Sequence, residues 1–227
     1  MTALPPPLDG LRACVLGAGL SGLAAARLLR ARQCEVTVLD SGGKDRLLRA
    51  ATELEARGAR LLAGERGFPD DFFDLCVASP GIPPGHPWLA RCRERGIRLM
   101  SELDLGFLAW SNRILAVTGS KGKSSVVKLC AETLKMAGIP AAPAGNYGTP
   151  LSALALVPTP PAWAVVEVSS FQLEHTEHFR PDVAILLNLH PDHLDRHGSL
   201  EAYAALKFKL FARQTGMDTA IVPLDCR

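Results

Sequence analysis

Twice in this chain an apolar run ends in a glycine-rich turn that opens directly into a helix-length amphipathic stretch. Residues 11–16 lead into Gly17-Ala18-Gly19-Leu20-Ser21-Gly22, and residues 114–117 lead into Thr118-Gly119-Ser120-Lys121-Gly122-Lys123-Ser124-Ser125. A strand that feeds a helix through glycines starts a parallel α/β sheet, because parallel neighbours need a crossover between them. Two such starts, roughly a hundred residues apart, call for two sheets. Further short apolar runs predict strands at 35–39, 75–78, 97–100, 162–168, 183–187 and 219–222. Helices are expected at 21–32, 45–57, 86–95, 123–137 and 200–212. The boundary is expected near residue 101, giving a Rossmann-like domain over 1–100 and an ATPase-type domain with a mainly parallel sheet over 101–227. The second domain ends on a strand with no covering helix, which predicts a truncated chain.

Composition narrows the partners. Lys plus Arg is 25 against 23 Asp plus Glu, a net charge of +2, which gives no support to nucleic-acid or membrane-surface binding. The longest uncharged run, 136–166, holds Pro140, Pro143, Pro150, Pro158, Pro160 and Pro161, which a spanning helix does not absorb. The opening MTALPPPLDG has neither a basic start nor an apolar core, so no secretory signal is read there. The cysteines at 14, 34, 76, 92, 130 and 226 form no CxxC pair, and several sit in apolar runs; they are expected reduced, in a cytoplasmic protein.

The first turn fits GxGxxG in strand–turn–helix context, where glycines let a diphosphate approach backbone N–H groups at a helix start. Asp40 ends the next strand, where an acid commonly holds a ribose hydroxyl. A tight packing turn without ligand is the alternative, and the glycines do not say which nucleotide binds.

The second turn ends in GKSS. A nest of N–H groups there cradles phosphates, Lys123 neutralises β/γ oxygens, and the Ser124 hydroxyl ligates Mg²⁺. Val117 stands where GxxxxGK[ST] has its first glycine. Six of the seven lysines lie after residue 120. Glu167, at the end of the expected strand 162–168, is a candidate metal carboxylate, or else a solvated strand end. His190-Pro191-Asp192-His193-Leu194-Asp195-Arg196-His197 is a possible zinc or di-metal cluster, though it matches neither HExxH nor the usual Cys/His spacings. Ser169 and Ser170 lack the GxSxG turn of serine hydrolases.

Taken in order, VLGAGLSGLAAARLL, VASPGI, TGSKGKSS, GNYGTPL, VVEVSSFQLE and NLHPDHLDRHGSLEAYAALKFKLF resemble the signatures of the Mur ligase family over essentially the whole chain, and SSFQLE favours its D-glutamate-adding branch. The resemblance implies ATP-dependent amide formation through an acyl phosphate. The partners would be UDP-N-acetylmuramoyl-L-alanine and D-glutamate, and the protein a monomer with ATP and two Mg²⁺ ions. It implies ATP contacts at Thr118, Gly119, Ser120, Lys121, Gly122, Lys123, Ser124 and Ser125. Ser124 and Glu167 would hold the first Mg²⁺; His193 and Lys207, the latter as a carbamate, the second. Asn146, Ser169 and Ser170 would line the muramoyl-alanine path. Gly19, Leu20, Ser21, Asp40, Ser41, Ser79, Pro80 and Gly81 would hold the UDP end. Lys121, His190-Pro191 and Tyr147 depart from the family's usual residues without removing a ligand. The rest of the ATPase domain and a third domain are missing, so the chain alone is expected not to complete ligation. A stand-alone UDP-sugar-binding module and an NAD(P)-dependent oxidoreductase are the competing readings.

Overall fold

The computed structural model describes residues 8–43 and 45–224. Cys226, one of the cysteines considered above, lies outside them. The chain divides into two compact units, Met1–Met100 and Ser101–Arg227.

The first unit runs β1 (Arg12–Leu16), α1 (Leu20–Ala31), β2 (Glu35–Asp40), α2 (Leu48–Ala56), β3 (Arg60–Ala63), β4 (Leu75–Ala78), α3 (Pro87–Glu94) and β5 (Arg98–Ser101). The sheet order is β3-β2-β1-β4-β5, with β1 parallel to both β2 and β4. Residues 13–16 of β1 and all of β4 are buried, as expected for strands covered on both faces. Gly22, Ala24, Ala25 and Ala26 make the buried stripe of α1 small, so the helix settles close to the sheet. Cys14, Leu16, Leu39 and Cys76 join Trp88, Leu89 and Cys92 of α3 in one apolar cluster. The five described cysteines are free thiols, Cys130 being only partly buried.

The second unit runs α4 (Glu102–Ala109), β6 (Arg113–Thr118), α5 (Lys123–Met136), β7 (Ala141–Gly145), α6 (Leu151–Leu154), β8 (Trp163–Glu167), α7 (Ser170–Leu173), β9 (Val183–Leu186), α8 (Leu194–His197), α9 (Leu200–Phe208), a 3₁₀ turn (Lys209–Phe211) and β10 (Thr219–Ile221). All four pairings of the order β10-β9-β6-β8-β7 are parallel. Strand phase separates two cores: Ile114, Ala116, Ala164 and Val166 pack with Leu151, Leu173 and Phe179, whereas Val117 and Val165 pack with Val127 and Ala131 of α5. Among the described residues no helix is long and apolar enough to cross a membrane.

Several elements differ from the expectation. The helix expected at 200–212 tightens into the 3₁₀ turn after Phe208, and that at 45–57 starts only at Leu48. Strand β7, sequence AAPAG, has weak strand propensity, and Pro143 is tolerated because β7 is the sheet's edge. Helix α4 is buried from Glu102 to Gly106, so it carries no amphipathic period to read. Its Gly106 lies where a Cβ would come within 2.7 Å of Ser152 N. Strand β3 and the single-turn helices α6, α7 and α8 are also additions.

Candidate functional site

In the first unit the chain order reverses between β1 and β4, and the loops after these strands flank that switch point, where doubly wound sheets place ligands. Gly17 has φ +94°, and a Cβ on Gly22 would sit 1.8 Å from the Gly17 carbonyl oxygen, so both positions demand glycine. Leu20 is exposed at the start of α1, and Gly19, Ser41 and Gly81 are exposed as well. Ser79 Oγ donates to Gly17 O at 3.4 Å. Asp40 braces this turn: Ala18 N–H donates to its Oδ2 and Gly42 N–H to its Oδ1, both at 2.7 Å. Its carboxylate therefore shapes the loop in addition to any contact with a ribose.

In the second unit the expected residues converge. A cavity of about 320 Å³ is lined by the turn from Ser120 to Ser125 and by Asn146, Glu167, Ser169, Ser170, His193 and Lys207. It lies at the carboxyl ends of β6 and β8, whose register sets Val117 beside Glu167. Glu167 is 2% exposed, and its two oxygens are taken by Ser124 Oγ at 2.6 Å and Asn146 Nδ2 at 2.7 Å. Asn146 gets there because Gly145, at φ +87°, lets β7 press against the Glu167 carbonyl, where a Cβ would fall within 2.2 Å.

The glycine-rich turn is held from below. Asn188 Oδ1 accepts the N–H groups of Ser120 at 3.0 Å and Lys121 at 2.9 Å. Those two amides are thus committed to the protein. The first turn of α5 still presents its own amides. Thr118 Oγ1 donates to Val168 O, and Ser120 Oγ bonds to His190 O, so both hydroxyls are structural here. Lys123 Nζ folds back onto the carbonyls of Gly119 and Ser120, each at 3.0 Å. Lys121 is exposed and lies 3.4 Å from Asp192.

Lys207 is 1% exposed, not a solvated helix lysine, and its Nζ donates to Gly119 O at 2.9 Å. Burial, reinforced by the Lys123 charge and opposed by Asp192, pulls its pKa down to about 8. His193 adopts φ +52°, keeps its side chain half exposed, and leans on Phe171 with ring centroids 4.8 Å apart.

The zinc-like reading of 190–197 fails: among the described residues no three His, Cys, Asp or Glu side chains form a metal-holding group. His197 turns inward, toward Ser170 and Glu174. The Ser124 hydroxyl and Glu167 carboxylate are hard oxygen donors of the kind Mg²⁺ takes together with substrate phosphates, so a first Mg²⁺ fits. His193 with Lys207 as an ammonium does not fit a second cation, since like charge repels it.

Asn188, Phe171 and Tyr203 were not among the expected site residues. Tyr203 OH donates to Ser120 Oγ at 3.2 Å, and its ring lies 4.5 Å from Lys207 Nζ. The available signal was position: Asn188 lies two residues past the end of β9, and Tyr203 precedes Lys207 by one helical turn.

Residues 117–227 match the Mur ligase middle domain, and residues 12–101 match the N-terminal domain of MurD-like Mur ligases. A UDP-N-acetylmuramoylalanine–D-glutamate ligase of Koribacter versatilis is 41% identical over 219 residues, covering 95% of this chain and 48% of that protein. The same-named protein of Acidobacterium capsulatum is 42% identical, with 96% and 48% covered. The chain spans about half the length of the curated relatives it matches. A solved UDP-N-acetylmuramate:L-alanyl-gamma-D-glutamyl-meso-diaminopimelate ligase from Neisseria meningitides superposes with TM-score 0.62 at 19% identity, covering 96% of this chain and 72% of that one. That likeness concerns the fold alone.

Proposed function

This chain belongs to the Mur ligase family, and from that membership we propose that it serves the ATP-driven addition of D-glutamate to UDP-N-acetylmuramoyl-L-alanine in peptidoglycan precursor synthesis. The observation that carries the reading is Glu167, buried at a strand end and shared between Ser124 of the glycine-rich turn and Asn146.

In this reading the first domain, residues 1–100, holds the UDP end through Gly19, Leu20, Ser21, Ser41 and the loop Ser79-Pro80-Gly81. The second, residues 101–227, binds ATP. The amides at the start of α5 and the Lys123 ammonium receive its phosphates; Lys123 must leave the carbonyls of Gly119 and Ser120 to do so. Ser124 and Glu167 would hold Mg²⁺, which when bound neutralises phosphate charge. Asn146 keeps Glu167 aimed at the cavity, and Ser169 and Ser170 line the muramoyl-alanine side. The substrate's alanine carboxylate becomes an acyl phosphate, from which the amine of D-glutamate displaces phosphate.

Lys207 is read as the residue that becomes a carbamate. Its pKa of about 8 leaves roughly a tenth of the amine neutral at pH 7, ready to add CO₂. The anionic product, with His193, would supply the oxygen-rich partner a second Mg²⁺ needs. The same reading takes the protein as a cytoplasmic monomer.

The test is ligand-induced thermal stabilisation. Mg²⁺–ATP and UDP-N-acetylmuramoyl-L-alanine should each raise the melting temperature. A shift with the UDP substrate and none with Mg²⁺–ATP would leave only a UDP-sugar module. Saturable NADH binding without response to UDP would replace the ligase by an oxidoreductase.

A further inference from the structure

One wall of the cavity carries a set of contacts that the ligase reading leaves unused. Ser170 Oγ lies 3.0 Å from His197 Nε2. On the other side of the ring, His197 Nδ1 lies 3.7 Å from Glu174 Oε1, and both side chains are 2% exposed. Arg196 grips the same carboxylate with Nε on Oε1 at 2.9 Å and Nη2 on Oε2 at 2.5 Å. The imidazole is flanked by Phe171 and Tyr203, with ring centroids 5.5 and 5.4 Å away. The Arg196 guanidinium stacks on Phe171 at 4.3 Å.

Burial lowers the pKa of His197, against the pull of Glu174, so the ring is neutral at pH 7 and carries one proton. On Nδ1 that proton points at an anion. On Nε2 it would leave the bare Nδ1 lone pair facing the same anion, which is repulsive. A carboxylate beside one ring nitrogen thus selects the tautomer.

We propose that His197 is a positioning residue that turns Ser170 into a hydrogen-bond acceptor toward the cavity. The Ser170 hydroxyl proton is committed to His197 Nε2, and the oxygen lone pairs face the ligand. What Ser170 then receives is a donor: the N–H of the incoming amine, or a cation-bound water. It does not hold a carboxylate or phosphate oxygen, which would need the proton already given to His197. The identity of the donor rests on the ligase reading; the polarity of Ser170 does not.

Two measurements decide it, the first on the 227-residue chain and the second on a ligase of the relatives' full length that carries these 227 residues. Long-range ¹H–¹⁵N correlation of the histidine rings should find His197 protonated at Nδ1 and bare at Nε2; the reverse tautomer overturns the proposal. In turnover assays His197→Leu should raise the KM for D-glutamate about tenfold, the worth of one hydrogen bond, with the KM for ATP unchanged. His197→Gln, whose amide oxygen can accept from Ser170, should restore it. A shift in the Mg²⁺ half-saturation instead identifies the donor as cation-bound water. Equal changes in every constant, or none, overturn the role. Absence of any ligation by that longer protein removes the ligase reading, while the tautomer still decides the polarity.

Discussion

Ser124 Oγ donates a 2.6 Å hydrogen bond to Glu167 Oε2 across 43 residues of sequence. The other carboxylate oxygen receives Asn146 from a third segment, at 2.7 Å. A carboxylate at 2% exposure accepts from two neutral donors, and among the described residues no Lys or Arg side chain bonds to it. That arrangement suits a carboxylate that meets its counter-charge on binding.

Glu167→Gln should therefore act on the metal more than on the nucleotide. The affinity for ATP measured calorimetrically in Mg²⁺ should fall by about ten- to a hundredfold, the usual cost of altering a metal site. Affinity measured in chelator should stay unchanged. An equal loss in both conditions would mean that Glu167 only shapes the turn.

Lys207 and Lys209 separate a site lysine from a structural one. Lys209 Nζ donates to the carbonyls of Leu173 and Glu174 at 3.1 and 3.2 Å, closing the end of α7. In a ligase of the relatives' full length that carries these residues, Lys209→Ala should cost about 1 kcal/mol of stability and leave turnover to recover at lower temperature. Lys207→Ala should abolish turnover and be partly rescued by short carboxylic acids. Because the folded pKa of Lys207 is depressed from 10.5 to about 8, the unfolded chain binds more protons between those values. Stability contributed by this residue should rise with pH across that window, and Lys207→Met should remove the rise in a denaturation series.

Glu102 gives a pH dependence of the opposite sign. It is 1% exposed; Ser152 N–H donates to Oε1 at 2.8 Å, while Oε2 is buried with no hydrogen-bond partner. Burial raises its pKa above 4.5, outweighing the Ser152 contacts, so the native state holds the proton where the unfolded state has lost it. Stability should fall as pH climbs from 4.5 through the folded value. Glu102→Gln should flatten that part of the profile in urea titrations; an unchanged slope would assign it elsewhere, Asp104 being the next buried acid with a raised pKa.

Two glycines of the first turn should part company. Gly22→Ala forces a Cβ to within 1.8 Å of the Gly17 carbonyl, whereas Gly19 has open space and an ordinary φ of −77°. The first substitution should lower stability by about 2–4 kcal/mol and weaken UDP binding. Gly19→Ala should leave folding intact, as circular dichroism melts of the pair would establish.

The two sheets, their parallel sense and most helices were legible because they follow from local period: apolar runs buried on both faces at 13–16 and 75–78, and a helical stripe in α1. Strand β7 was not legible, since Ala, Pro and Gly at a sheet edge carry no strand signal. Helix α4 was hidden by its near-complete burial. At the site, Lys123, Ser124 and Glu167 were read from motif. The occupation of two turn amides by Asn188 was not, because that contact depends on β9 lying beside β6.

Spacing along the chain was enough to say that two strand–turn–helix units exist and which residue types cluster after each strand. Folding chose among those residues. Crossovers bring β6, β8 and β7 side by side, which makes Glu167 a shared acceptor, buries Lys207 against Gly119 and scatters 190–197 instead of gathering it round a metal. Hydrogen bonds and burial depend on distances between segments, and those distances follow from strand order and packing, to which a local pattern is blind.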